Sequence, residues 1–187
     1  MPLKPGHYRI LYVPSGLPPS DYAVSGQIEK PLPVSPLEAN SRWELLVAPG
    51  NIKDQWTIRK EVVIERTPDY IGWGRPSRKG VHSDDRNPFD FNPEIRADKE
   101  AEREGLIQWP DQPVIYTTLT QNWQITETPD GGGNPEKTYN IKIPTDIVGV
   151  ISAVTIENNH LVTKNYPAHP VPGFPHKLPA WRFIPIV

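Results

Sequence analysis

Pro179-Ala180-Trp181-Arg182-Phe183-Ile184-Pro185 is a tryptophan opening a short apolar strand, and the same pattern occurs twice earlier in the chain. Trp43-Glu44-Leu45-Leu46-Val47 and Trp123-Gln124-Ile125-Thr126 carry it. A second pattern, aromatic-x-Ile, opens strands at Tyr8-Arg9-Ile10, Trp56-Thr57-Ile58 and Tyr139-Asn140-Ile141. The two alternate along the chain, aromatic-x-Ile and then the tryptophan strand, three times over. Internal repetition outranks local propensity as a guide to architecture, and the period here is about 50 residues of strand. Units of that size cannot each bury a hydrophobic face alone, so they are expected to close around one shared core.

Turn chemistry divides the rest of the chain. Pro14-Ser15-Gly16-Leu17-Pro18-Pro19-Ser20-Asp21 breaks the first strand, His7 to Val13, whose Tyr8, Ile10 and Tyr12 alternate on one face. Short strands are expected at Tyr22–Ser25, Leu32–Ser35, Gln55–Ile64, Tyr70–Gly74, Pro113–Thr118, Thr138–Ile143, Val148–Ile156 and His160–Lys164, beside the three tryptophan strands. Glu65-Arg66-Thr67-Pro68-Asp69 and Glu157-Asn158-Asn159 are expected turns. From Arg75 to Gln112 the strand rhythm stops. Within it, Asn92 as cap, Pro93 at the first helical position and Gly105 at the end predict a solvated surface helix carried on a loop insertion. The expectation is all-β, a β-trefoil of twelve strands in three pseudo-repeats of about 1–53, 54–136 and 137–187, with a helical insertion in the second. The whole of 1–187 is read as a single domain.

Composition narrows the function. The chain contains no cysteine, which removes disulfides, thiolate nucleophiles and cysteine metal sites. The opening Met1-Pro2-Leu3-Lys4-Pro5-Gly6 has no apolar signal core, and no apolar run reaches the length of a membrane span. A soluble, cytoplasmic, monomeric protein is expected. Net charge is −2 with basic residues scattered, so nucleic-acid binding is not expected. Proline accounts for 24 of 187 residues, more than twice its usual share. These prolines lie between strands, where they stiffen loops by setting φ.

The sequence contains no nucleophile elbow, phosphate-binding glycine loop or His-Glu-x-x-His, so no enzyme and no cofactor are expected. His82-Ser83-Asp84-Asp85 collects catalytic residue types in a polar loop without an orienting partner, and reads as a solvated turn. His169 and His176 flank one loop without a third ligand, and Asp84, Asp85, Asn87 and Asp90 lack the glycine and terminal glutamate of an EF-hand, so no metal site is expected. Gln121-Asn122-Trp123 matches the Gln-x-Trp of ricin-type lectins, but the other two tryptophan strands lack the glutamine. Core packing is the better account of that tryptophan, and a carbohydrate-binding trefoil is the alternative reading.

Three stretches of the last unit resemble the mycocypins, the clitocypin and macrocypin inhibitors of mushrooms. These are Val148-Gly149-Val150, Asn158-Asn159-His160-Leu161-Val162 and Pro179-Ala180-Trp181-Arg182-Phe183. Pro5-Gly6-His7-Tyr8-Arg9-Ile10 and Gln55-Trp56-Thr57-Ile58 are similar to that family's opening and to one of its strands. The resemblance implies a β-trefoil that inhibits papain-like cysteine proteases. It places the contact in two loops, at Leu17, Pro18, Pro19, Ser20 and Asp21 and at Leu37, Glu38, Ala39 and Asn40. Pro18-Pro19-Ser20-Asp21 stands where the family carries a Gly-Gly pair, a stiffer and bulkier segment. A second reactive loop is implied at Glu65, Arg66, Thr67 and Pro68. Clitocypin presents an asparagine to legumain there. Arg66 in its place implies loss of legumain and a possible trypsin-like serine protease as target. Arg75, followed directly by Pro76, is a poor candidate for the same role.

Overall fold

The computed structural model describes residues 3–15, 17–37, 41–50, 52–64, 67–76, 112–128, 137–144, 148–169 and 177–186. Two compact units divide the chain, Met1–Pro76 with Asp111–Val187, and Ser77–Pro110. The second unit, and with it the expected helix from Asn92 to Gly105, lies outside the described residues.

The first unit is built of antiparallel strands: β1 (Gly6–Val13), β2 (Tyr22–Ala23), β3 (Val34–Ser35), β4 (Arg42–Val47), β5 (Gln55–Ile64), β6 (Thr67–Gly74), β7 (Gln112–Pro113), β8 (Ile115–Thr117), β9 (Asn122–Glu127), β10 (Tyr139–Lys142), β11 (Val150–Glu157), β12 (His160–Pro167) and β13 (Ala180–Pro185). That is thirteen strands among the described residues where twelve were expected. The difference is at Pro113–Thr118, which forms two strands either side of Val114. β7 pairs with β12 and β8 with β6, so one stretch serves two ladders.

Six strands close on themselves in the order β1, β4, β5, β9, β10, β13 and back to β1. Closure leaves those strands no open edge. The two sequence patterns meet in this ring with the same register each time. Tyr8 faces Trp43, Trp56 faces Trp123, and Tyr139 faces Trp181. On the other flank, the residue four after each tryptophan faces the next aromatic: Val47 opposite Trp56, Glu127 opposite Tyr139, Pro185 opposite Tyr8. Side chains alternate across a strand, so this register turns Trp43 and Leu45, Trp123 and Ile125, Trp181 and Phe183 into one core, with Ile10, Ile58 and Ile141 beside them.

Outside the ring lie the β2/β3, β6/β8 and β11/β12 pairs. The last turns through Asn158-Asn159, both at positive φ, the signature of a two-residue type I′ hairpin. The outer pairs meet at a triangle of main-chain bonds. Leu32 N–H donates to Val114 O (2.8 Å), Val114 N–H to Leu161 O (2.9 Å), and Leu161 N–H to Leu32 O (2.8 Å). All three residues are buried, and the triangle satisfies main-chain groups that no water could reach.

Each ring tryptophan ties the two layers together. The indole N–H of Trp43 donates to Ala23 O on β2 (2.8 Å), that of Trp123 to Trp73 O on β6 (3.3 Å), and that of Trp181 to Val154 O on β11 (3.0 Å). Trp73 is the hub. Its ring meets Trp43, Trp123 and Trp181 edge-on at 5.8, 6.2 and 6.4 Å, the geometry that the aromatic quadrupole favours. Its own buried N–H has no hydrogen-bond partner among the described residues. Gly72 brings β6 close to β5: a Cβ there would run into the Ile58 carbonyl oxygen and lie 2.8 Å from Arg59 Cα.

Three comparisons check this account by urea unfolding. Trp181→Ala is expected to cost about 3–5 kcal/mol. Trp181→Phe, which loses an indole hydrogen bond, should cost more than Trp73→Phe, whose N–H has no acceptor among the described residues. Equal costs would mean that the indole bonds do not tie the layers. Gly72→Ala should destabilise by about 1–3 kcal/mol, because main chain, unlike a side chain, cannot rotate away from the added methyl. A neutral result would refute the close approach.

Candidate functional site

The loop after β1 is rooted in main-chain bonds. Tyr12 N–H donates to Asp21 O (2.9 Å), and Tyr12 O accepts from Ser20 N–H (3.2 Å), so one residue closes the loop on both sides. The Tyr12 ring packs on Trp181 at 5.1 Å, which fixes that root to the core. Leu17 N–H donates to Pro14 O (3.3 Å), forming a tight turn inside the loop. Beyond it Leu17 is 66% exposed, with Pro18, Pro19 and Ser20 also exposed and Asp21 half-buried. The chain thus displays the expected residues from a braced base.

The loop from β3 to β4 begins with Pro36 and Leu37, and Leu37 is 69% exposed. Its N–H donates to Ser35 Oγ (3.1 Å), a local turn that a serine two residues back commonly makes. Glu38, Ala39 and Asn40 lie outside the described residues. The loop returns through buried Ser41 into β4. Tyr22 faces Ser35 in the β2/β3 ladder, and Leu11 faces Tyr22 in the β1/β2 ladder. Asp21 ends one loop and Pro36 begins the other, so both leave the same end of one ladder. The structure brings the bases of the two loops together, with an exposed leucine on each.

The third expected loop differs from its sequence reading. β5 runs to Ile64 and β6 begins at Thr67, with Ile64 facing Thr67 and Val63 facing Pro68. Thr67, Pro68 and Asp69 are therefore strand, not turn, and only Glu65 and Arg66 connect the two strands; both lie outside the described residues. Proline is admitted here because β6 meets β8 only from Gly72 to Gly74, which leaves the Thr67–Ile71 part an edge among the described residues. At its base the β5/β6 ribbon is held by Arg59. Its Nε donates to Glu44 Oε2 (2.8 Å) while its guanidinium lies 3.6 Å from the Tyr70 ring centre.

The other candidates separate clearly. Trp123 is fully buried, and Gln121 uses its side-chain oxygen to accept from Arg75 Nε (2.8 Å). Core packing accounts for the tryptophan of the Gln-x-Trp triplet, and Arg75 is engaged rather than projecting. His169 is exposed and His176 lies outside the described residues, as do His82, Ser83, Asp84, Asp85, Asn87 and Asp90. Among the described residues no three of the metal-ligating types converge, and no helix is long and apolar enough to cross a membrane.

Sequence reasoning missed Tyr12 as the clasp of the first loop and Arg59 as the brace of the β5/β6 ribbon. The alternation of Tyr8, Ile10 and Tyr12 was a visible signal for the first. Arg59 had none, since Glu44 and Tyr70 reach it only across strands. Comparison with known proteins finds no matching family model and no matching curated protein.

Proposed function

We propose that the chain is a β-trefoil that acts as a proteinaceous protease inhibitor, occluding a papain-like active-site cleft with the Leu17–Asp21 and Leu37–Asn40 loops. The closed six-strand ring, the outer hairpins and the three-fold recurrence of register support the trefoil topology. The observation that carries the functional reading is the shared root of the two loops, with Leu17 and Leu37 exposed above it. Exposed apolar side chains on rigid bases suit insertion into a cleft, because loops already ordered lose little entropy on binding. Tyr12, clasped to the loop and packed on Trp181, supplies that order. Mycocypin-like residues in the last unit agree in direction. The action is steric, with no catalytic step.

Arg66 offers a second, separate contact. Trypsin-like pockets carry a carboxylate that pairs with arginine, and Pro68 stands two places after the bond that would be presented, not next to it. No disulfide braces the chain, so part of the ordering cost is met on binding and inhibition through Arg66 is weak.

A panel of papain, cathepsins, legumain and trypsin tests both contacts. Papain-like inhibition is expected to weaken in Leu17→Ala and in Leu37→Ala by about tenfold each, the scale of an apolar anchor removed from a pocket. Pro18-Pro19 replaced by Gly-Gly should strengthen it if the closer main-chain approach that glycine permits outweighs the stiffness lost with the prolines. Inhibition constants unmoved by all of these changes would place the wedge elsewhere, and saturable binding on a glycan array without protease inhibition would move the reading to a lectin. For the second contact, Arg66→Ala should abolish any trypsin inhibition and Arg66→Asn should create legumain inhibition. Strong legumain inhibition by the unaltered protein would refute the assignment of Arg66.

A further inference from the structure

The register that recurs around the ring carries on into the outer strands. Three residues after Tyr8, Trp56 and Tyr139, Leu11 faces Tyr22, Arg59 faces Gly72 and Lys142 faces Ala153. Those partners in turn face Ser35, Thr117 and Lys164. Ser35 and Thr117 thus hold equivalent places, and an exposed leucine follows each of them two residues on. Leu37 N–H donates to Ser35 Oγ (3.1 Å) and Leu119 N–H to Thr117 Oγ1 (3.2 Å), the same side-chain turn. Leu119, at 74% exposed, is as open as Leu37. In the third unit Lys164 has no hydroxyl and β12 runs on to Pro167, so the turn is not repeated there.

The loop bearing Leu119 lies directly on β6. A Cβ at Gly74 would stand 2.7 Å from Leu119 O, and one at Gly72 would stand 2.8 Å from Thr120 Cγ2, so glycine at both places lets the loop settle on the strand. Gln121 N–H donates to Trp73 O (3.0 Å) and closes the far side. The Thr117 hydroxyl, while accepting from Leu119, donates to the Glu29 carboxylate, and Glu29 N–H donates to Tyr116 O (2.7 Å). That network holds the segment carrying the exposed Ile28 next to the Leu119 loop.

We propose that Leu119 anchors a second inhibitory wedge, with Ile28 beside it, and that its occupant is a further molecule of a papain-like cysteine protease. The inference rests on the reading of Leu37 as a side chain that enters such a cleft. A pocket that accepts Leu37 meets the same side chain on the same turn at Leu119. The 118–121 loop is already ordered by Thr117, Trp73 and the two glycines of β6, so it loses little entropy on binding. Leu37 and Leu119 lie one step of the three-fold recurrence apart, so the two occupants do not compete for one flank. The second wedge has no counterpart of the exposed Pro18-Pro19 segment among the described residues, and it binds more weakly than the first.

The full chain is titrated with papain whose catalytic cysteine is carboxamidomethylated, so that no cleavage intrudes, and the complexes are resolved by sedimentation velocity. With papain in excess, a species of two proteases per chain is expected, its second step weaker than its first. Leu119→Ala should weaken the second step by about tenfold, the scale of an apolar anchor removed from a pocket. Leu119→Asp should leave a one-to-one complex, whereas Leu37→Asp should weaken the first step and spare the second. Both leucines are exposed, so the variants keep the fold, which the urea midpoint checks. A one-to-one limit for the unaltered protein, or a second step unmoved by both Leu119 variants, would overturn the proposal and leave the reading of Leu17 and Leu37 standing. No complex with papain at all would overturn that reading, and the second wedge with it.

Discussion

Three indole N–H groups, each donating to a main-chain carbonyl of an outer strand, are the bonds on which the rest of the structure depends. A closed ring of strands satisfies its own main chain but says nothing about what covers its end. Tryptophan does both tasks at once: its rings fill the ring's interior and its N–H reaches out to the next layer. A leucine of similar apolar character would fill space and leave the layers unlinked. Trp73 shows the same logic from the other side. Its carbonyl accepts one of the three bonds and its ring packs against all three donors, while its own N–H has no acceptor among the described residues. Its value is shape, and the geometry around it tolerates an orphaned donor to obtain that shape.

The loops inherit their order from this core. Tyr12 lies on Trp181 and closes the first loop through its own main chain, so the tryptophan that ties layers also steadies the segment bearing Leu17. The second loop shares that root through the Tyr22–Ser35 pair. Proline adds stiffness from within by setting φ. Charge follows a different rule. Arg59 is satisfied by Glu44 and by the face of Tyr70, both of which reach it from other strand positions.

Much of the all-β architecture was legible in the chain, because a strand declares itself locally. Trp43, Trp123 and Trp181 announced three strands by repetition, and Asn158-Asn159 announced a hairpin by tolerating positive φ. The site was legible only as loops. Leu17 and Leu37 could be found from turn chemistry and family resemblance, but nothing in the sequence joins the segments that carry them. Thr67 and Pro68 were misread as turn because proline ordinarily breaks a strand, and only the edge position of β6 makes it acceptable.

The sequence by itself determined the strands, their three-fold alternation and the residues able to fill a core, since side-chain alternation and turn propensity act over a few residues. The tertiary structure decided the rest: the register that sets Tyr8 against Trp43, the triangle of Leu32, Val114 and Leu161, and the division of Pro113–Thr118 between two ladders. These are long-range pairings, and a long-range pairing depends on which partners remain once the main chain of every buried strand has been satisfied.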